Sequence, residues 1–110
     1  MERFVKGDVV VVPFPFSDLS QSKRRPALVV AKLFGEDLIL CQITSQSTID
    51  LYAIALDKND FEEGELKQNS NIRTNRLFTA DRQLILYKVG RLKKDKIDVV
   101  IAKIIRILQE

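Results

Sequence analysis

The chemistry open to this chain is limited first by what it lacks. It contains no histidine and one cysteine among its 110 residues. Without histidine there is no imidazole to serve as general base, as metal ligand or as a member of a catalytic triad. Cys41 sits inside the apolar run Leu38-Ile39-Leu40-Cys41. A thiol there reads as a small buried hydrophobe, and one cysteine can form neither an intrachain disulfide nor a thiolate metal cluster. Any reaction must run on arginine, lysine, carboxylates and hydroxyls, and no cofactor is expected. Among the places where such groups stand beside apolar runs are Lys23-Arg24-Arg25 ahead of Pro26, and Thr44-Ser45-Gln46 after Ile43. By residue type alone, the arginines read as a solvated basic pair and Thr44 as a hydroxyl that satisfies the following turn.

Charge narrows the partner class. The net charge of +3 is unevenly spread: residues 1–56 are balanced, 57–72 carry −3 and 73–110 carry +6. A basic final third following an acidic segment can provide an electrostatic footprint for a polyanion, although the same distribution also describes an ordinary solvated face. With 45% hydrophobic and 30% charged residues, the chain belongs among folded globular proteins and not among disordered ones. Its length predicts one domain over residues 1–110, able to bury about two-thirds of the surface exposed when unfolded. Met1-Glu2-Arg3-Phe4-Val5-Lys6 puts charges where a signal peptide would carry its apolar core. No apolar run approaches the roughly 18 residues of a membrane span, so a cytoplasmic, non-membrane protein is expected.

Short strands must position these groups. Val9-Val10-Val11-Val12 is β-branched throughout and is followed by Pro13 and Pro15, which predicts a first strand and then a turning loop. That loop, from Ser17 to Arg25, is polar and long enough to move. It ends at Pro26, after which residues 27–31 read as a second buried strand. Gly35-Glu36-Asp37 turns the chain into a third strand over 38–43, so the second and third should pair as a hairpin. Further strands are predicted over 52–56 and 84–89, with a charged surface excursion around Gly64 between them whose one apolar group is Phe61. The period then changes: Ile97, Val100, Ile101, Ile104, Ile105 and Leu108 share one helical face, with Asp95 as N-cap and Asp98 near the helix start. Val99 and Ile107 fall off that face, either as a second contact surface such as a dimer partner or as tolerated exposed groups. The sum is a mainly β fold, a small, strongly bent barrel capped by a C-terminal helix.

Three ordered motifs resemble the MazF/PemK family of toxins from toxin–antitoxin operons, over nearly the whole chain. Lys6-Gly7-Asp8-Val9-Val10-Val11-Val12, with Arg24-Arg25-Pro26-Ala27-Leu28-Val29-Val30, is similar to the family's opening strand, mobile loop and Arg-Pro-x-Leu-Val start of the next strand. Cys41-Gln42-Ile43-Thr44-Ser45-Gln46 resembles its Ile-Thr-Ser strand end. The third is Ser70-Asn71-Ile72-Arg73 through Leu77-Phe78-Thr79-Ala80-Asp81, with Gly90-Arg91-Leu92 and the helix.

The resemblance implies an SH3-like barrel, a two-fold homodimer with a groove across it, and metal-independent, sequence-preferring cleavage of single-stranded messenger RNA by attack of its own 2′-hydroxyl. It further implies an antitoxin whose acidic, disordered segment folds into the groove. Arg25 and Thr44 match the family's cleavage positions, and their chemistry suits the task. A guanidinium stays charged and can hold two phosphate oxygens as charge develops. Arginine is essentially never deprotonated, so Arg25 serves as an electrostatic stabiliser and not as a base. A threonine hydroxyl can bond the phosphate or the attacking hydroxyl. Ser17, Lys23, Arg24, Ser45, Gln46, Arg73 and Asn75 are the candidates for RNA binding, while Lys23 and Arg24, with Ser17 and Asp18, can help gate the groove and Phe14 and Phe16 either stack on bases or fill core. Some PemK-like members carry an acidic residue where this chain has Asn75, so an Asp-dependent variant of the mechanism does not transfer. Two rivals stand: a CcdB-like gyrase poison, which shares the fold but lacks the Arg and Thr pair, and a catalytically silent RNA-binding module. Gln109-Glu110 follows Leu108 without the Trp-Gly-type tip of the gyrase poisons.

Overall fold

The four valines at 9–12 lie in a strand whose two faces are both covered, which is why that stretch is apolar without alternation. A computed structural model describes residues 3–14, 23–46 and 50–110; Phe16, Ser17 and Asp18 lie outside the described residues. The strands are β1 (Asp8–Phe14), β2 (Lys23–Lys32), β3 (Asp37–Thr44), β4 (Ala53–Leu56), β5 (Phe61–Gly64), β6 (Ser70–Asp81) and β7 (Tyr87–Leu92), followed by the helix α1 (Lys94–Gln109). They pair antiparallel in one sheet of order β4-β6-β3-β2-β1-β7-β5.

Alternation along β1, β2 and β3 sends side chains to two cores. Val9, Leu28, Cys41 and Ile43 pack with Val100 and Ile104 of the helix. Val10, Val12, Ala27, Val29, Leu38 and Leu40 pack on the other face with Phe4 and Ala80. The first core also holds Leu56 of β4 and Phe61 of β5, the two edge strands. A flat sheet would keep those edges roughly 29 Å apart at about 4.8 Å per strand. Their shared core therefore requires the sheet to roll around it, the barrel-like bend that was expected. Register shifts at Val9/Val10, Val29/Ala31 and Cys41/Ile43 mark where strands bend. Gly64 sits at φ 72°, and a Cβ there would run into the backbone of Val89 and Gly90, so only glycine lets β5 end this close to β7.

Several expectations need correction. β6, a 12-residue strand, and β5 were not anticipated, and the strand expected over 84–89 begins at Tyr87 after a 3₁₀ turn at Arg82–Leu84. The fourth strand starts at Ala53, because Asp50 and Tyr52 belong to the preceding turn. Lys93 takes the N-cap position without a side-chain bond, and Asp95 lies in the first helical turn. Of the helical face, Ile97, Val100, Ile101 and Ile104 pack on the core, whereas Ile105 and Leu108 are exposed. Val99 is exposed as well, and Ile107 is half-buried. No helix among the described residues is long and apolar enough to cross a membrane.

Candidate functional site

Strands β1, β2, β3 and β6 bring polar groups together at one end of the sheet. Arg25 is three residues into β2, opposite Val12 of β1, and its side chain is exposed. Thr44 is the last residue of β3, opposite Asn71 of β6. With Phe14, Gln42, Ile43, Gln46 and Arg73 they line a pocket of about 200 Å³. A neighbouring depression of about 540 Å³ shares Arg25 and adds Arg24, Ser45, Glu65, Lys67 and Tyr87 along its wall.

The Thr44 hydroxyl oxygen accepts from the Gln46 N–H at 3.2 Å, so the turn-satisfying role read from sequence is present. That bond leaves the hydroxyl proton and a second lone pair for the pocket that Thr44 lines. Asn71 donates its side-chain amide to the Gln46 carbonyl at 3.3 Å, tying the turn after β3 to β6. Phe14 is half-buried, with its ring centroid 5.9 Å from that of Phe78, and presents its edge of the pocket between core and solvent. Cys41 donates its thiol to the Arg73 carbonyl at 2.8 Å. Burial pushes that thiol up to about 12, which leaves it protonated and unsuited to nucleophilic work.

Arg25, Thr44, Gln46 and Arg73 thus converge on the first pocket, and Arg24 and Ser45 on its neighbour. Lys23 and Asn75 are exposed and line neither, and Ser17 lies outside the described residues. Gln42 was not anticipated. Its one signal is a polar residue interrupting the run from Leu38 to Ile43, facing the pocket as its neighbours Cys41 and Ile43 face the core. The basic final third does not form a single footprint. Arg73, Arg82, Lys88, Arg91, Lys94 and Lys96, six of its ten cations, are paired with carboxylates. Positive charge at the site comes from Arg24 and Arg25 of β2, from Lys67 and, of the final third, from Arg73 alone, and Glu65 is the one carboxylate among the described residues lining either pocket.

Two guanidiniums, a hydroxyl and two side-chain amides around a small open pocket suit an anionic, hydrogen-bonding ligand such as a phosphodiester. Over residues 5–108 the sequence matches the model of the PemK-like, MazF-like toxins of type II toxin–antitoxin systems. The chain belongs to this family. The same fold recurs in MazF from Deinococcus radiodurans, 18% identical, with 100% of each chain covered and a TM-score of 0.77. It recurs in an endoribonuclease from a mycobacterial species, solved in complex with its cognate antitoxin, at 11% identity over 97% of this chain and 96% of that one, TM-score 0.77. The Mycobacterium tuberculosis toxin MazF-mt6 matches at 13% identity over 91% of this chain and 96% of that one, TM-score 0.68. Identities this low establish a shared fold. No curated protein matches the chain by sequence.

Proposed function

We propose that this toxin-family member is an endoribonuclease that cleaves single-stranded RNA without a metal. The observation that carries the reading is the convergence of Arg25 and Thr44, from different strands, on one pocket of a chain that matches the toxin family along most of its length. In the reaction the 2′-oxygen attacks the adjacent phosphorus and the 5′-oxygen leaves, giving a 2′,3′-cyclic phosphate and a 5′-hydroxyl. Negative charge grows on the non-bridging oxygens at the pentacovalent stage. Arg25 meets that charge with paired N–H donors, while Thr44 bonds the phosphate or orients the attacking hydroxyl. Gln46 and Arg73 hold the substrate from the same pocket, with Arg24 and Ser45 from its neighbour. Ser17, Lys23 and Asn75 complete the binding set as expectations from the family pattern.

Partners and setting follow from the same reading. The active species is a cytoplasmic homodimer, with exposed Val99, Ile105 and Leu108 available for apolar contact. An antitoxin with an acidic, disordered segment would occupy the arginine-lined groove and block RNA. The discriminating experiment incubates the purified protein with long single-stranded RNA in excess EDTA, beside folded Arg25→Ala and Thr44→Ala variants. Discrete fragments from the parent, with Arg25→Ala slowed by about 10²–10³, support the reading. RNA that stays intact across varied sequences refutes it and favours a gyrase poison or a silent RNA-binding module.

A further inference from the structure

Behind Arg73 lies Asp50, a carboxylate that does not itself line the pocket. Its Oδ1 accepts from the Tyr52 N–H at 2.9 Å and its carbonyl from the Ala53 N–H at 3.1 Å, which makes a tight turn into β4. That turn is fastened to β6 next to Arg73: Ala53 is the register partner of Arg73, and the Thr74 hydroxyl donates to the Tyr52 carbonyl. The Cys41 thiol holds the Arg73 carbonyl from the other side. The Arg73 backbone is therefore anchored by both flanking strands, and the turn delivers Asp50 to its side chain.

The two side chains meet without a hydrogen bond. Arg73 Nη2 stands 3.6 Å from Asp50 Oδ2, with the side chains 27% and 12% exposed. Arg73 Nε and Asp50 Oδ2 are both buried with no hydrogen-bond partner among the described residues. Buried polar atoms left this way are uncommon and costly. The cost has an explanation if the pair is held by charge in the free protein and the guanidinium keeps donors unspent. Two guanidiniums line one pocket of about 200 Å³, and their mutual repulsion disfavours holding both there. A carboxylate behind Arg73 offsets that repulsion without occupying the pocket.

We propose that Asp50 is a positioning residue: it holds Arg73 in the pocket so that Arg25 and Arg73 grip the scissile phosphate together. This rests on the ribonuclease reading above. It also gives the chain a carboxylate partner for Arg73 from a turn 23 positions earlier, in a sequence whose position 75 is asparagine.

The test is a double-mutant cycle on RNA cleavage with the parent, Asp50→Asn, Arg73→Ala and the double variant. Asparagine keeps an oxygen for the Tyr52 N–H, removes the charge and turns an NH₂ toward Arg73 where Oδ2 stood; Asp50→Ser, which also retains an acceptor for that turn, replaces it should Asp50→Asn fail to fold. We expect Asp50→Asn to lower kcat/KM about tenfold in the parent and less than about twofold when Arg73 is already alanine. Asp50→Glu should recover part of the loss. A purely structural role for the turn would lower activity equally in both backgrounds, and that result, or an undiminished rate in folded Asp50→Asn, overturns the proposal while leaving the nuclease intact. A parent that does not cut RNA overturns both.

Discussion

Asp8 is the most exacting test of how the barrel is held. The residue is fully buried, yet its carboxyl faces two cations. Its Oδ2 accepts from the Val5 N–H at 2.9 Å, and its Oδ1 faces Arg91 Nε at 3.2 Å and Lys88 Nζ at 3.4 Å. The carboxylate thus joins the start of β1 to β7, its neighbour on the way to the β5 edge. In Asp8→Asn one amide atom must face wrongly: an oxygen toward Val5 turns the NH₂ on two cations, and the reverse opposes two N–H donors. Hydrogen bonds to charged groups are worth about 1.5–3 kcal/mol each. Both cations are about a third exposed, at 29% and 36%, so water recovers part of what they lose. A net cost of about 2–3 kcal/mol follows for Asp8→Asn, and about 3–5 kcal/mol for Asp8→Ala, which also orphans the Val5 N–H. For a chain of this length the former lowers Tm by about 8–12 °C. The assay is urea and thermal unfolding at matched protein concentration, since any self-association raises apparent stability. An Asp8→Asn protein within about 0.5 kcal/mol of the parent, at unchanged m-value, refutes the argument that this charge holds β1 to β7.

Three other outcomes are expected. Thr44→Val should slow RNA cleavage about 10- to 100-fold, the worth of a hydrogen bond to a charged group, while its exposed bond from Gln46 limits the stability loss to under about 1 kcal/mol; Thr44→Ser should retain most activity, as single-turnover rates will show. Cys41 should resist a thiol reagent at pH 8 until the protein is unfolded, because its native thiol titrates near 12 against an ordinary 9.0. The unfolded thiol ionises first, so stability falls as pH rises above 9.0, measurable as a drop in urea midpoint that Cys41→Ala removes. The Lys88 ammonium beside Glu63 holds that carboxyl below its ordinary 4.5. The contribution is therefore present above 4.5 and lost as pH falls through the lower native value, and Glu63→Gln should flatten the acid limb of the unfolding midpoint. Lys88 is raised in turn, chiefly by its bond to Glu63, so its own share persists below 10.5 and is lost only as pH climbs past the native value.

Much of the frame was legible because it rests on local physics. Four β-branched residues followed by prolines favour a strand locally, and a period that changes to 3.6 after residue 96 favours a helix. The Arg25-Pro26 and Thr44-Ser45 segments were recognisable as an ordered family pattern, and both lie at strand ends where a pocket can form. β6 was illegible for the opposite reason. Ser70–Asp81 carries Arg73, Asn75 and Arg76 and has no clean alternation, and it is extended because β3 and β4 present unpaired edges on either side of it. The helix spacing could not say that Ile105 and Leu108, on the same face as Ile104, would be left exposed. Charge was misleading for the same reason, since five cations of the final third are met by Asp8, Glu36, Asp50 and Asp60, carboxylates from earlier in the chain that only folding brings near. The sequence by itself determined which residues could hold a phosphate. Tertiary structure decided which of them meet, because Arg25, Thr44 and Arg73 line one pocket only once β2, β3 and β6 pair side by side, with the turn before β4 setting Asp50 behind Arg73.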